Sequence, residues 1–281
     1  MTFAQLRTFL AVARTGSVRA AAAELVVTEP AVSAAVAALG RELGAALLVR
    51  DGRGVRLTDA GRTMAAYASE LVGLADQARS EVAGRSRLRL AGVTTAGEFV
   101  LPALIKAFRE RHPGIDVSLE VGNRQEVLDG LRRRDVDLAV GGRPPESRDI
   151  AGTGFRDYRL VVVGAPGPRR RDLAAETWLL RERGSGTREA AERYLTDAGI
   201  APRATMTVGS NGAVKQAAAA GLGVTLLADD AVQAELAAGA LIELRAPGTP
   251  LRRSWYVLAP AAGPEPAAAG LFRELCLAGS G

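Results

Sequence analysis

A chain of 281 residues, 48% hydrophobic and 24% charged, has room for two or three globular units and is too apolar to be disordered. Its lone cysteine (Cys276) excludes an internal disulfide, and with His112 as the single histidine there is no basis for Ser-His-Asp, Cys-His or zinc chemistry. The formal net charge of +5 suits a nucleic-acid partner without requiring one. No catalytic residue, metal or cofactor is therefore expected.

A first helix is predicted over residues 3–14, with Phe3, Leu6, Phe9, Leu10 and Ala13 on one apolar face. A short helix follows from Ser17, turning Val18, Ala21, Ala22 and Leu25 inward, and Val26-Val27 connects it to a third. Thr28 can cap that third helix, and Pro30 falls in its first turn, where the missing N–H does no harm. Val32, Val36, Leu39 and Leu43 recur at the spacing of a buried face, leaving Ser33, Ala34 and Ala37 on the other side. Two short helices with so brief a connector match a helix-turn-helix, whose second helix presents its N-terminal residues to base edges. Arg53-Gly54-Val55-Arg56-Leu57 then reads as a small β-wing with arginines for phosphates.

From Thr58 to about Gly84 the apolar residues Met64, Ala68, Leu71, Ala75, Ala78 and Val82 alternate in steps of four and three. Gly84 suits a C-cap, and such a helix is roughly 40 Å long. It is expected to pair with a second copy; a surface helix packed on its own chain is the alternative. Past Arg87, strands alternate with helices: strands over 88–93, 115–121, 136–140, 158–164, 178–181, 205–208, 224–228 and 253–259, with helices over 96–111, 126–134, 187–198, 215–220 and 267–277. That alternation implies a mostly parallel sheet in two α/β lobes. No apolar run approaches the roughly 20 residues that span a bilayer, and the N-terminus carries no signal pattern, so the cytoplasm is the expected location and no membrane partner is expected.

One stretch carries a resemblance. Gly16-Ser17, Ala21-Ala22, Leu25, Pro30-Ala31-Val32-Ser33, Leu39, Leu43-Gly44, Leu47, Arg50 and Arg56-Leu57-Thr58-Asp59-Ala60-Gly61 are similar, in one ungapped register, to the winged helix-turn-helix of LysR-type transcriptional regulators. Val93-Thr94-Thr95-Ala96, His112-Pro113-Gly114, Val121-Gly122-Asn123-Arg124, Gly184-Ser185-Gly186-Thr187-Arg188 and Ala220-Gly221-Leu222-Gly223-Val224 resemble segments of that family's effector domain. The short lobe motifs look most like those of Calvin-cycle (carbon-fixation operon) regulators. The resemblance implies a winged helix-turn-helix at 1–57, a dimerisation linker helix at 58–87, and a two-lobed, periplasmic-binding-protein-like effector domain. Lobe I would comprise 88–161 with 251–281, and lobe II 162–250. It further implies a homodimer or homotetramer on double-stranded DNA, with RNA polymerase as a further candidate partner.

Candidate sites follow from both sources. For DNA they are Arg19, Thr28, Glu29, Pro30, Ser33, Ala34, Ala37, Arg50, Arg53 and Arg56. The chain departs from its relatives here, with Glu29 where glutamine is usual and Ala34, Ala35 and Ala37 where long polar side chains are usual. Alanine can touch a thymine methyl but makes none of the hydrogen bonds that discriminate bases. Weak or shape-driven recognition, resting on arginine–phosphate contacts, is expected. For an effector, Ser185, Gly186, Thr187 and Arg188 open a helix whose N-terminus favours an anion; an ordinary capped helix is the alternative. Thr94 and Thr95 repeat the arrangement in the other lobe, while Asn123, Arg143 and Asn211 follow strands, the two asparagines equally explicable as caps. The effector is expected to be a small carboxylated or phosphorylated anion. The Calvin-cycle resemblance implies phosphorylated sugars, phosphoenolpyruvate or a nicotinamide dinucleotide phosphate. A periplasmic-type solute-binding protein and an α/β enzyme acting on a phosphorylated metabolite are the rival functions.

Overall fold

A computed structural model describes residues 1–52, 54–83 and 86–279. The chain divides into two compact units, Met1–Arg85 with Arg132–Asp135, and Ser86–Leu131 with Val136–Gly281.

In the first unit, α1 (Phe3–Thr15) opens on a reciprocal cap in which Thr2 accepts from the Gln5 N–H and the Gln5 side chain reaches back to the Thr2 N–H. It buries Leu6, Phe9, Ala11 and Val12, whereas Phe3 is exposed. The expected single stripe is displaced because α1 packs against three other helices at once. Ser17 caps α2 (Val18–Leu25) and Thr28 caps α3 (Glu29–Leu43), with Pro30 in the first turn. The chain bends by 108° between α2 and α3, within the range of a helix-turn-helix. Val32 and Leu39 are fully buried, but Leu43 is 43% exposed. Gly44 ends the helix in a left-handed cap, and Leu47 takes the core place beside Leu39 instead.

The strands β1 (Leu48–Asp51) and β2 (Gly54–Leu57) form the antiparallel wing, anchored where the Val55 N–H donates to the Gly16 carbonyl at 2.9 Å. The long helix α4 (Asp59–Val82) lays Met64, Ala65, Ala68 and Val72 on the cluster formed by Leu6, Phe9, Leu39 and Leu47. Met64 and Ala68, expected on a free seam, are thus used inside the unit, because a heptad spacing does not say which surface meets the stripe. Tyr67, Leu71 and Val82 remain exposed on α4. The expected C-cap Gly84 lies outside the described residues.

In the second unit, β3 (Arg87–Val93) leads to α5 (Thr94–Phe99) and α6 (Leu101–Arg111). One helix was expected here; Pro102 lacks the N–H and crowds the preceding turn, so the run breaks at Val100. The strand β4 (Asp116–Gly122), helix α7 (Arg124–Arg132) and strand β5 (Leu138–Gly141) follow. The chain then runs through β6 (Ile150–Gly164), β7 (Thr177–Arg181), α8 (Gly186–Asp197), β8 (Ala204–Val208), α9 (Asn211–Ala219), β9 (Thr225–Ala228), α10 (Asp229–Ala237) and β10 (Ile242–Glu243). It closes with β11 (Leu251–Pro260) and α11 (Ala267–Ala278). The first half of β6, the helix α10 and the short β10 carry too little apolar periodicity to be anticipated.

The main sheet has the order β10-β6-β11-β5-β3-β4, with β9 also paired to β6. The pairs β3–β4, β3–β5 and β7–β8 are parallel, as expected. The pairs of β6 and β11 with each other and with their neighbours are antiparallel, so the sheet is mixed and not mostly parallel. Alternating βα units speak for successive strands only, while β6 and β11 cross between two lobes. One lobe is cored by Leu88, Leu90, Phe108, Leu138 and Phe272, the other by Leu160, Val162, Trp178 and Leu226.

Among the described residues, two that are not glycine, Val26 and Arg134, stand at positive φ. Val26 ends α2 at φ 56°, a left-handed conformation disfavoured for a β-branched residue, and its side chain is 89% exposed. Because almost no packing would be lost, Val26→Asn should stabilise the first unit by about 1 kcal/mol. The check is the urea midpoint, which should rise with the slope unchanged.

Candidate functional site

On the first unit, Glu29, Pro30, Ser33, Ala34 and Ala37 are all exposed on α3, as is Arg19 on α2. The Thr28 hydroxyl accepts from the Ala31 N–H at 3.4 Å, so this residue is an N-cap at the tip of the helix. Both Arg50 and Arg56 are exposed on the wing. Their register pairs Arg50 with Val55 and Val49 with Arg56, so the two guanidinium groups leave opposite faces of the ribbon. They cannot serve one phosphate together. Arg53 lies outside the described residues. The face is cationic at its wing and small and nearly uncharged along α3, the chemistry of backbone contact more than of base discrimination.

On the second unit, a cleft of about 480 Å³ opens between the lobes. It gathers Thr94, Thr95, Asn123, Arg143, Ser185, Gly186 and Thr187 from four separate stretches of chain. Ser185 is the N-cap position of α8, buried, with its hydroxyl making no capping bond to the helix it opens. Asn123 does cap: its Oδ1 accepts from the Glu126 N–H at 3.0 Å, and Glu126 accepts from the Asn123 N–H at 2.8 Å. Gly184 sits at φ 84°, where a Cβ would come within 3.5 Å of the Asn123 amide, so the two lobe edges approach closely there. The Thr94 hydroxyl donates to the Gly122 carbonyl at 3.2 Å.

Two expected members stand elsewhere. The Arg188 side chain is spent on the Arg181 carbonyl at 2.9 Å, Thr207 at 3.2 Å and Glu192 at 2.7 Å, and it is not among the cleft-lining residues. Asn211 is fully buried behind the cleft wall. Both residues hold the walls in place.

The place of Arg188 as a cation is taken by residues that the sequence did not single out. Arg124, Arg181, Arg193 and Arg253 join Arg143 among the residues that line the cleft, five arginines against Glu146 and Glu189. Arg124 donates to the Arg143 carbonyl at 2.7 Å, which ties the start of α7 to the loop after β5. Arg181 is 3% exposed on its side chain and is held by Glu182 at 2.7 and 2.8 Å. Tyr158 and Trp255 complete the floor as a stacked pair with ring centroids 4.2 Å apart. Period-two alternation along β6 and β11, and the spacing of Gly186, Glu189, Ala190 and Arg193 on α8, were the available signals. They identify a face but cannot say that a cleft lies over it.

Two family models match the chain. One, described as a bacterial regulatory helix-turn-helix protein of the lysR family, matches residues 3–62; the other, the LysR substrate binding domain, matches residues 83–280. The chain belongs to the LysR family of transcriptional regulators. It is a DNA-binding regulator with an effector-binding domain. A RuBisCO operon transcriptional regulator of Allochromatium vinosum is 38% identical to it, over 97% of this chain and 94% of that protein. The regulatory domain of Synechocystis PCC6803 CcmR, solved in complex with 2-PG, is 32% identical with a TM-score of 0.64, covering 69% of this chain and 97% of its own. Full-length CbnR, solved with its target DNA, is 25% identical with a TM-score of 0.68, over 98% and 99% of the two chains. Within the LysR family the similarity therefore runs to RuBisCO operon regulators, as the lobe motifs suggested.

Two measurements probe these surfaces. Arg50→Ala should weaken binding to operator and random DNA alike and flatten the logarithmic salt dependence by about one unit, read from binding isotherms across a salt series. Selective loss on operator DNA alone would instead make Arg50 a base reader. In the cleft, burial pushes the Tyr158 phenol up to about 12, against the pull of the nearby Arg253 and Arg124 guanidinium groups. A raised pKa favours the neutral form in the folded state, so this contribution to stability is complete below pH 10 and is lost as pH climbs towards 12. The ultraviolet titration of the protein minus that of Tyr158→Phe should show a step near pH 12. A step at the ordinary value would mean a solvated hydroxyl.

Proposed function

We propose that the arginine-lined cleft binds a small carboxylated or phosphorylated anion, and that occupancy changes how the regulator engages DNA. The observation that carries this is the gathering of five arginines with Thr94, Thr95 and the N-terminus of α8 around one 480 Å³ space. A phosphate or carboxylate is the ligand that guanidinium forks, hydroxyl donors and a helix N-terminus suit in common. Similarity to a domain solved with 2-PG supports 2-PG as the first ligand to test. Of the residues named from sequence, Thr94, Thr95, Asn123, Arg143, Ser185, Gly186 and Thr187 are proposed to meet the ligand, joined by Arg193 and Arg253.

For DNA, we assign Ser33, Ala34 and Ala37 with Glu29 and Pro30 to the groove, and Arg19, Arg50 and Arg56 to phosphates. Two such heads need pairing to read successive half-sites. Tyr67, Leu71 and Val82 give α4 an exposed apolar edge that supports pairing with a second copy. The domain limits stand as 1–57, 58–87 and the two lobes given above. A regulator of this kind acts in the cytoplasm and catalyses nothing. Neither a solute-binding protein nor an enzyme needs the DNA-binding unit, and similarity to named regulators over nearly the whole chain supports the regulatory reading.

The test is a footprint on the DNA upstream of its own gene and the divergent one, across a salt series, with and without 2-PG. A two-fold protected site whose pattern shifts with 2-PG, and no longer shifts in Arg193→Ala, is the expected result. Protection equal on random DNA at every salt concentration would overturn sequence-specific regulation. Indifference to 2-PG together with calorimetric silence would overturn this effector.

A further inference from the structure

Behind the cleft, Asn211 sits fully buried at the start of α9 and touches both lobes. Its Nδ2 donates to Glu98 Oε2 at 2.9 Å and to Thr95 Oγ1 at 3.3 Å, both on α5, while its Oδ1 accepts from Arg181 Nη1 at the end of β7. This orientation of the amide is the one the partners permit. A guanidinium only donates and a carboxylate only accepts, so oxygen must face Arg181 and nitrogen must face Glu98. One turn further along α9, the Lys215 ammonium lies 5.2 Å from the centre of the Phe99 ring and pairs with Glu235 at 2.6 Å. The helices α5 and α9 therefore meet twice, at the i and i+4 positions of each.

We infer that Asn211 is a positioning residue: a clasp that holds the two lobes together and sets the donors facing the cleft. Two of its partners, Thr95 and Arg181, line the cleft, and Asn211 does not. Because Asn211 donates to the Thr95 oxygen, the Thr95 hydroxyl proton is directed away from it and can be donated to an anion. Because its oxygen takes one Arg181 N–H and Glu182 takes others, the plane of that guanidinium is fixed before any ligand arrives. The clasp couples lobe apposition to ligand affinity, since opening the lobes breaks the bonds that orient the ligand's own partners. The second half of this statement rests on the cleft being the effector site.

The bond polarity offers a test by inversion. Asn211→Asp keeps the acceptor for Arg181 but sets a carboxylate against Glu98. Adding Glu98→Gln supplies a donor in place of an acceptor and restores the bridge at unchanged total charge. In ligand-free protein, hydrogen exchange of residues 94–99 and 211–219 should speed up about tenfold or more in Asn211→Asp and return to within about threefold in the double variant. Calorimetric affinity for 2-PG should fall in Asn211→Asp and recover only in part in the double variant, whose carboxylate accepts from the Thr95 hydroxyl and turns that proton away from the cleft. Glu98→Ala, at an exposed residue, gives a milder loss of protection and serves if Asn211→Asp does not fold. Unchanged exchange in Asn211→Asp and Glu98→Ala, or no recovery in the double variant, would overturn the clasp. Loosened exchange with undiminished 2-PG affinity would overturn its positioning role. Exchange as expected, with no 2-PG binding even by the unaltered protein, would leave the clasp standing and remove the effector instead.

Discussion

Everything in the second unit depends on the antiparallel pairing of β6 with β11. The two strands run side by side from Leu160 opposite Leu251 to Ile150 opposite Pro260, and both pass from one lobe to the other. Each strand supplies core to its lobes by alternation: Leu160 and Val162 face one cluster, Val161 and Val163 the other. Phe155 and Trp255 meanwhile belong to the core of the first lobe. Two crossing strands make a hinge of limited freedom. The lobes can tilt about the ribbon, but sliding would break a ladder and turn apolar side chains to the wrong face.

The cleft's floor is that same ribbon. Tyr158 and Arg253 are register partners, and the Trp255 ring stacks on Tyr158 from the next inward position. As proposed above, an aromatic floor under arginines from both lobes would make a pre-organised anion site, because the charges are assembled by the fold and not by the ligand. Their mutual repulsion is contained by local partners. Glu182 holds Arg181, and the Arg143 carbonyl accepts from Arg124. An anion arriving there neutralises charge that the fold has already brought together, and both lobes contribute to its surroundings.

The first unit follows a different logic. It is small, and its helices are closed by short polar caps at Thr2, Ser17 and Thr28 and by glycines at 16 and 44. Val26, held in a left-handed conformation, lies in the turn between the two helices of the DNA-reading motif. The nearly featureless outer face of α3 contrasts with that careful closure. With α3 in the groove as proposed, few side chains would reach the bases, and phosphate contact and DNA shape are the proposed means of recognition.

Sequence alone determined the parts whose signals are local. The helix-turn-helix was legible from caps, a two-residue connector and a buried face, since these depend on neighbours within a few positions. The parallel βα units and the family itself were legible for the same reason. Only the tertiary structure decided the rest. Strand periodicity could not reveal that β6 and β11 pair antiparallel across two lobes, because pairing is made by residues about a hundred positions apart. Arg188 and Arg193 share one helix and one charge; which of them lines the cleft depends on where β8 and Glu192 draw the first. Asn211 looked like a ligand contact or a cap, and its burial between Thr95, Glu98 and Arg181 comes from the meeting of α5 and α9, which no local pattern encodes.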